Sequence, residues 1–177
     1  MTIDRKLALH FLGVRGAPSP QMKELLDKYE PLLLEKITPR CIWEACAVGR
    51  EYLRGNDIKN HLENCNEIII LAATLGLQVD ELIRQTEAAD MAGAVVLDAL
   101  ASAAIEQLCD NAEEEIKKKY KQITARFSPG YGDFPLEVQS ALLGILNARK
   151  KIGLYVNESG LLIPRKSVTA VVGGKRK

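Results

Sequence analysis

The sequence predicts an α+β fold in which long helices pack against a twisted, mostly antiparallel sheet. Residues 79–120 contain no proline and are rich in Ala, Leu, Glu and Lys, which is typical of one long helix or two consecutive helices. Residues 67–76 form a β-branched run that ends in glycine, which indicates a buried strand. Short strands are predicted at about 154–157, 160–163 and 167–172, separated by tight turns. Because strands joined by short turns pair antiparallel, this order favours α+β over a doubly wound sheet.

Length and composition indicate a globular chain. The 177 residues are 47% hydrophobic and 27% charged, so they can bury a core as a single domain, residues 1–177. No uninterrupted apolar run approaches the roughly 20 residues that a membrane span needs. The N-terminus carries Asp4 and no apolar stretch with a cleavage site, which argues against a signal peptide. A cytoplasmic protein without a membrane partner is therefore expected.

Charge is distributed unevenly along the chain. Residues 56–115 hold 13 acidic residues against two basic ones, a net charge of −11, and residues 149–177 hold eight basic residues against Glu158, a net charge of +7. Two interpretations remain open, namely polar association surfaces and ordinary solvated faces. Only 5% of residues are aromatic and no nucleic-acid motif is present, so a nucleic-acid partner is not expected.

The N-terminal third contains clear helix signals. Ser19 as N-cap and Pro20 at the first helical position predict a helix start, and Pro31 is expected to break or kink that helix. Residues 40–53 are apolar and aromatic enough for a strand that runs into a turn, and residues 57–65 resemble a short helix.

Two further features are predicted in the C-terminal half. Pro135 opens an amphipathic helix that Gly153 is placed to end. At the charged end of the central helix, Glu113 and Lys117 have the i,i+4 spacing of an ion pair.

Most catalytic signatures are absent. There is no GxGxxG, no P-loop and no GxSxG, and the four cysteines form no CxxC pair, so buried free thiols are expected and no metal site. His61 lies in a polar segment and is interpreted as a surface residue, not a general base. Glu106 lies in the Ala-rich helix, where a carboxylate must be paired or must face a cleft or solvent. No catalytic residue is therefore assigned.

One stretch, residues 126–131 (RFSPGY), contains residues that a tight turn does not require. Pro129 and Gly130 at the two central positions predict a type II turn over residues 128–131. A turn needs neither Arg126 nor Tyr131. Those two residues therefore indicate one of two things. Either they form part of a binding site, or Arg126 is an ordinary ion-pair partner and Tyr131 is a ring in the core behind the turn.

This stretch and the segments after it resemble the C-terminal activation domain of cobalamin-dependent methionine synthase. That family has an Arg-x-x-x-Gly-Tyr motif, a Pro-initiated helix, a Glu-Ser turn, a following Pro and a Ser-Val strand. The matching residues, in order, are Arg126, Gly130, Tyr131, Pro135, Glu158, Ser159, Pro164, Ser167 and Val168. The resemblance is strongest over residues 90–172 and describes a free-standing, shortened version. The family has Cys-Pro-Asp where this chain has Phe134-Pro135-Leu136.

The resemblance implies a binding site for S-adenosylmethionine. Arg126 would pair with the ligand carboxylate through its planar fork, and Gly130 would let the backbone approach the ligand. Tyr131 would present its ring to the adenosine or the sulfonium, and Ser128 would contribute backbone polar groups. Glu106 would face the ligand's ammonium or ribose.

The resemblance also implies a function. The chain would support reductive methylation of cob(II)alamin carried by a partner, either methionine synthase modules or another corrinoid-binding protein, with an electron donor such as flavodoxin. It has no cobalamin-binding or zinc-binding module, so it would be one component of a methyltransferase and not a complete enzyme. The alternative is a docking or scaffold subunit of a corrinoid methyltransferase system that binds no ligand.

Overall fold

The structure, a computed structural model, describes residues 2–46 and 53–176. Its helices are α1 (Arg5–Phe11), α2 (Pro20–Lys36), α3 (Asn56–Leu62), α4 (Leu77–Ala89), α5 (Met91–Lys119), α6 (Val138–Leu146) and α7 (Ala148–Ile152). Its strands are β1 (Arg40–Cys46), β2 (Glu67–Thr74), β3 (Tyr120–Ile123), β4 (Tyr155–Val156), β5 (Leu162–Ile163) and β6 (Ser167–Arg176).

The main sheet has four strands in the order β1-β2-β6-β3, and every neighbouring pair is antiparallel. The two inner strands, β2 and β6, carry the most apolar sequence and are buried along most of their length. Strands β4 and β5 form a separate two-stranded ribbon. The expected α+β class, with long helices against an antiparallel sheet, is confirmed.

Each face of the sheet has its own core. On one face α5 packs with α1, α2 and α4, because its Ala- and Leu-rich surface is apolar almost all round. On the other face α3, α6 and α7 cover the sheet, with Phe134 and Leu142 at the centre of the cluster. Side chains alternate along β6 between these two cores, since successive residues of a strand point to opposite faces.

Helix α5 is long and apolar enough to resemble a membrane-spanning helix. Its most apolar stretch has a mean hydropathy of 1.4, and by length and composition this stretch could cross a membrane. However, 61% of the stretch is buried inside the protein. The apolarity of α5 is thus accounted for by its position at the centre of the first core.

The helix signals near the N-terminus are partly confirmed. The Ser19 hydroxyl accepts a hydrogen bond from the backbone N–H of Met22 at 3.2 Å, as an N-cap should. Pro31 does not break α2, which continues to Lys36, because Leu26 and Leu33 on either side of it are both buried in the first core. Helix α1, which Asp4 caps, was not predicted.

Other predicted boundaries need correction. Residues 79–120 hold most of α4, all of α5 and the first residue of β3, so the alternative of two consecutive helices is confirmed, whereas β3 was not predicted. The helix after Pro135 is interrupted at Asn147, which adopts a left-handed conformation (φ 53°), although Gly153 does end α7. The strand expected over residues 40–53 is confirmed as β1, and its continuation at 47–52 lies outside the described residues.

Candidate functional site

A free strand edge forms one wall of the site. Strand β3 pairs with β6 only at residues 174–176, and a single bridge joins Phe127 to Val171 further along. Among the described residues nothing pairs with residues 167–170 of β6 on that side. The chain leaves the sheet after Phe127, so a space opens beside this edge of β6.

The turn over residues 128–131 closes one end of that space. The backbone N–H of Tyr131 donates to the carbonyl of Ser128 at 3.2 Å, and Gly130 has φ of +93°, as the turn prediction requires. The N–H of Gly130 donates to the carbonyl of Phe134 at 2.8 Å, and the Phe134 ring is buried. The turn is therefore held by the second core, while the Tyr131 side chain is 69% exposed.

Arg126 is fixed by three carboxylates of α5. Its Nη2 lies 2.7 Å from Oε2 of Glu106, and its Nη1 lies 2.9 Å from both Oδ1 of Asp110 and Oε1 of Glu113. The three acidic residues have i, i+4 and i+7 spacing, which places them on one face of the helix. The Arg126 side chain is only 18% exposed. The guanidinium is thus held against α5 at the start of the turn.

The carboxylates of this cluster stabilise the positive charge of Arg126 and attract further positive charge. Burial by itself lowers the pKa of Arg126, but the hydrogen bond to Asp110 and the charges of Glu113 and Glu106 raise the pKa above its ordinary value. Three carboxylates against one guanidinium leave an excess of two negative charges. A ligand that carries net positive charge is therefore attracted to this end of the site.

A cavity of about 600 Å³ lies between this cluster and the free edge of β6. Four of the five predicted site residues line it: Glu106, Arg126, Ser128 and Tyr131. The volume is within the usual range of roughly 300–1,000 Å³ for small-molecule sites. The structure thus brings together side chains that are up to 25 residues apart in the sequence.

Gly130 does not line the cavity. It supports the turn from behind, where a Cβ on this residue would lie 3.4 Å from the Leu136 side chain. Its role in the structure is the positive φ, which presents its neighbours Ser128 and Tyr131 to the cavity.

Several lining residues were missed by sequence reasoning. They are Glu113, Ala125, Phe127, Gln139, Leu162, Ser167, Val168 and Thr169. For Glu113 a signal existed, because it lies two helical turns after Glu106 on the same face. It was instead assigned to a pair with Lys117, but Lys117 bonds to Glu114. For Gln139 and Thr169 no local pattern indicates a site.

The remaining chemical groups lie elsewhere. Nε2 of His61 is 2.8 Å from the carbonyl oxygen of Ala125, and its ring packs on Phe127 at 5.1 Å, so it supports the chain behind the site. The four cysteines are free thiols, of which only Cys109 is fully buried. Within residues 2–46 and 53–176 no cluster of His, Cys, Asp and Glu is arranged to hold a metal ion.

Comparison with known proteins identifies the fold. No protein-family model and no curated protein sequence matches the chain. Among solved structures, a crystal structure of the MetH reactivation domain bound to AdoHcy superposes with a TM-score of 0.68 and 18% sequence identity, over 99% of this chain and 74% of that chain. The chain therefore has the fold of a reactivation domain. The resemblance to the activation domain of methionine synthase is confirmed at the level of the fold.

Proposed function

We propose that the chain binds S-adenosylmethionine in the cavity beside β6 and acts as a reactivation module for a cobalamin-dependent methyltransferase such as methionine synthase. The observation that carries this proposal is that Glu106, Arg126, Ser128 and Tyr131 line one cavity. The resemblance to the activation-domain family implies all four as ligand-binding residues, although they lie on two separate segments. The reactivation-domain fold, found in a structure that holds AdoHcy, supports the same ligand class.

The charges of the site suit this ligand. S-adenosylmethionine has one carboxylate, one ammonium and one sulfonium, which give a net charge of +1 at neutral pH. The two negative charges in excess around Arg126 favour such a cation. In this proposal Glu106 and Glu113, which both line the cavity, bind the ammonium, and the fork of Arg126 binds the carboxylate.

Binding across the two terminal nitrogens of Arg126 requires part of the ion-pair cluster to rearrange. Nη1 donates to both Asp110 and Glu113 and Nη2 donates to Glu106, so a ligand carboxylate that spans Nη1 and Nη2 has to replace one of these partners. Asp110 is the partner most easily given up, because its side chain is 63% exposed and water can solvate it. Glu113, at 17% exposure, is expected to stay with Arg126.

The chemistry follows from position. Bound S-adenosylmethionine supplies an activated methyl group to a reduced corrinoid that a partner protein carries, with an electron donor such as flavodoxin. The residues of this chain bind the ligand, orient it and shield it from water, so the rate advantage comes from proximity and not from acid–base catalysis. We take residues 1–177 to form this module as one cytoplasmic domain, with methionine synthase modules or another corrinoid protein as partner.

A docking or scaffold role without ligand is the second candidate. One observation favours it, namely that Arg126 already has three acidic partners, as an arginine with a purely structural role would. Ligand titration separates the two functions.

The test is calorimetric titration of S-adenosylmethionine into the wild type, Arg126→Ala, Glu106→Gln and Asp110→Asn. Glu106→Gln and Asp110→Asn each remove one charge beside Arg126, but only Glu106 lines the cavity. Saturable binding that is weakened at least tenfold in Glu106→Gln, lost in Arg126→Ala and little changed in Asp110→Asn supports the proposal. No binding at millimolar ligand supports the scaffold role instead, and equal effects of the two charge-removing variants would show that Glu106 makes no specific contact with the ligand.

A further inference from the structure

One hydroxyl in the wall of the cavity has no bonding partner. Oγ1 of Thr169 is buried and unbonded in the part of the chain that the structure describes, and Thr169 as a whole is 2% exposed. Ser167, two residues earlier on the same face of β6, instead donates its hydroxyl to Oγ1 of Thr74 at 2.8 Å. A buried hydroxyl without a partner destabilises the folded protein, because nothing replaces the hydrogen bonds that it makes to water in the unfolded chain. The contrast between neighbouring hydroxyls marks Thr169 as the exception on this strand.

The backbone of Thr169 is open on the same side. Val171 exchanges both of its backbone hydrogen bonds with Phe127 at 2.9 Å, so its N–H and carbonyl point away from β2. Backbone groups alternate in direction along an antiparallel strand, so the N–H and carbonyl of Thr169 also point toward the free edge. Thr169 therefore brings a donor and an acceptor of the main chain to the free edge, beside its own unpaired hydroxyl.

The two ends of the cavity differ in charge. The Arg126 cluster lies on α5, on one face of the sheet. The Thr169 side chain has the orientation of Val171, which packs in the core on the opposite face. Gln139 and Leu162 line the cavity on that face. One end of the cavity is thus ionic, and the other is polar but uncharged.

We propose that Thr169 is a ligand-contacting residue that holds the uncharged, nucleoside end of S-adenosylmethionine, while the Arg126 cluster holds the amino-acid end. This inference rests on the proposed function. A ligand with one zwitterionic end and one neutral end that is rich in donors and acceptors matches the two ends of the cavity. The χ1 angle of threonine has three staggered wells, so a rotamer change is enough to turn Oγ1 toward the ligand.

The inference predicts opposite effects on stability and on affinity. Thr169→Val replaces the hydroxyl by a methyl of similar shape, which removes the unpaired group. Without ligand, the melting temperature of Thr169→Val should rise by roughly 2–4 °C. Its affinity for S-adenosylmethionine should fall roughly three- to tenfold, since one hydrogen bond is lost. If Thr169 only filled space, Thr169→Val would not combine a higher melting temperature with a lower affinity for S-adenosylmethionine.

The experiment measures both quantities in the wild type, Thr169→Val, Thr169→Ser and the control Thr86→Val on α4, away from the cavity. Thr169→Ser keeps the hydroxyl and should bind like the wild type, as should Thr86→Val. Adenosine, which lacks the amino-acid end, should bind Thr169→Val more weakly than it binds the wild type. Thr169→Ala serves as a second hydroxyl-free variant if the valine is poorly accommodated.

Two results overturn the inference, and they are distinguishable. If the wild type binds S-adenosylmethionine and the hydroxyl-free variants bind equally well, Thr169 is not a contact residue and the proposed function stands. If the wild type binds neither S-adenosylmethionine nor adenosine at millimolar concentration, the proposed function fails and the role of Thr169 fails with it.

Discussion

Arg126 and Glu106, 20 residues apart in the sequence, meet in an ion pair with 2.7 Å between Nη2 and Oε2. The resemblance to the activation-domain family implies both as ligand-binding residues, and the structure pairs them with each other. The same contact is therefore compatible with a binding site and with a structural tie between α5 and the turn. Measurements on variants separate these two roles.

The first prediction concerns the stability contributed by Arg126. Arg126→Ala leaves Glu106, Asp110 and Glu113 on one helix face with no cation between them. The free energy of unfolding should fall by about 2 kcal/mol, because hydrogen bonds to charged groups are lost and like charges repel. Urea unfolding measures this change. Arg126→Lys, which keeps the charge without the planar fork, should lie in between, and a change in Arg126→Ala below about 0.5 kcal/mol would rule out the structural tie.

The second prediction concerns the contact between α2 and α5. A Cβ on Gly93 would overlap the ring of Tyr29, whose hydroxyl also bonds to Asp90 at 2.6 Å. Gly93→Ala should destabilise the protein, since overpacking costs roughly 1–3 kcal/mol and the gain in helix propensity is about 1 kcal/mol. Gly144→Ala is the matched control, because a Cβ there meets nothing within 4 Å. Denaturant unfolding should therefore show opposite signs for the two variants, and a stabilised Gly93→Ala would contradict the packing described.

The third prediction concerns the thiols. Burial raises the pKa of Cys41 to about 11 and that of Cys109 to about 12, whereas Cys46 and Cys65 are less buried. At about pH 8 a disulfide reagent should modify Cys46 and Cys65 first, since the thiolate is the reactive form. Mass spectrometry of the modified sites identifies them. Rapid modification of Cys109 in the folded protein would show that α5 is less well covered than described.

The same thiols make stability depend on alkaline pH. The unfolded chain releases the Cys109 proton near the ordinary value of 9.0, and the folded chain keeps it to about 12. Between these values the folded state binds more protons, so stability falls as pH rises through this window. The melting temperature of Cys109→Ala should therefore decline less steeply than that of the wild type over the same range.

The fourth prediction concerns Asp133, which caps α3 from a distant loop. Its carboxylate accepts the backbone N–H groups of Asn56 at 2.6 Å and Asp57 at 3.0 Å, and these hydrogen bonds lower the pKa of Asp133. The folded state thus favours the charged form, so the stabilisation is present above the ordinary value of 3.8 and is lost as pH falls below it. Asp133→Asn should melt lower than the wild type at pH 7, and the difference should vanish near pH 2. A difference that persists in acid would mean that the carboxylate charge is not the cause.

The sequence predicted those elements whose signal is local. The N-cap at Ser19, the turn at Gly130 and the buried strand β2 each depend on neighbouring residues, and all three are confirmed. Pro31, where a break or a kink was expected, does not break α2, because packing against α5 outweighs the loss of one hydrogen bond. Strand β3 was missed because it directly follows the Lys-rich end of α5, and it becomes a strand only through pairing with β6.

The site was also predicted only in part, because only some of its residues belong to a local sequence motif. Arg126, Ser128 and Tyr131 are neighbours in one motif, and Glu106 was found through the resemblance to a family. Thr169 and Gln139 could not be found, since they become wall residues only where β3 ends and α6 covers the sheet. Even Gly130, which was identified correctly as part of the turn, acts behind the cavity and not in it.

The position of β6 has a consequence for when the fold and the cavity form during synthesis. This strand comes last among the described elements, yet it lies inside the sheet between β2 and β3, and it also forms a wall of the cavity. A growing chain on the ribosome therefore cannot complete the sheet or the cavity until residues 167–176 emerge from the exit tunnel. Pairings between segments so far apart in sequence also slow folding. The cavity should consequently form late during biosynthesis, together with the finished sheet.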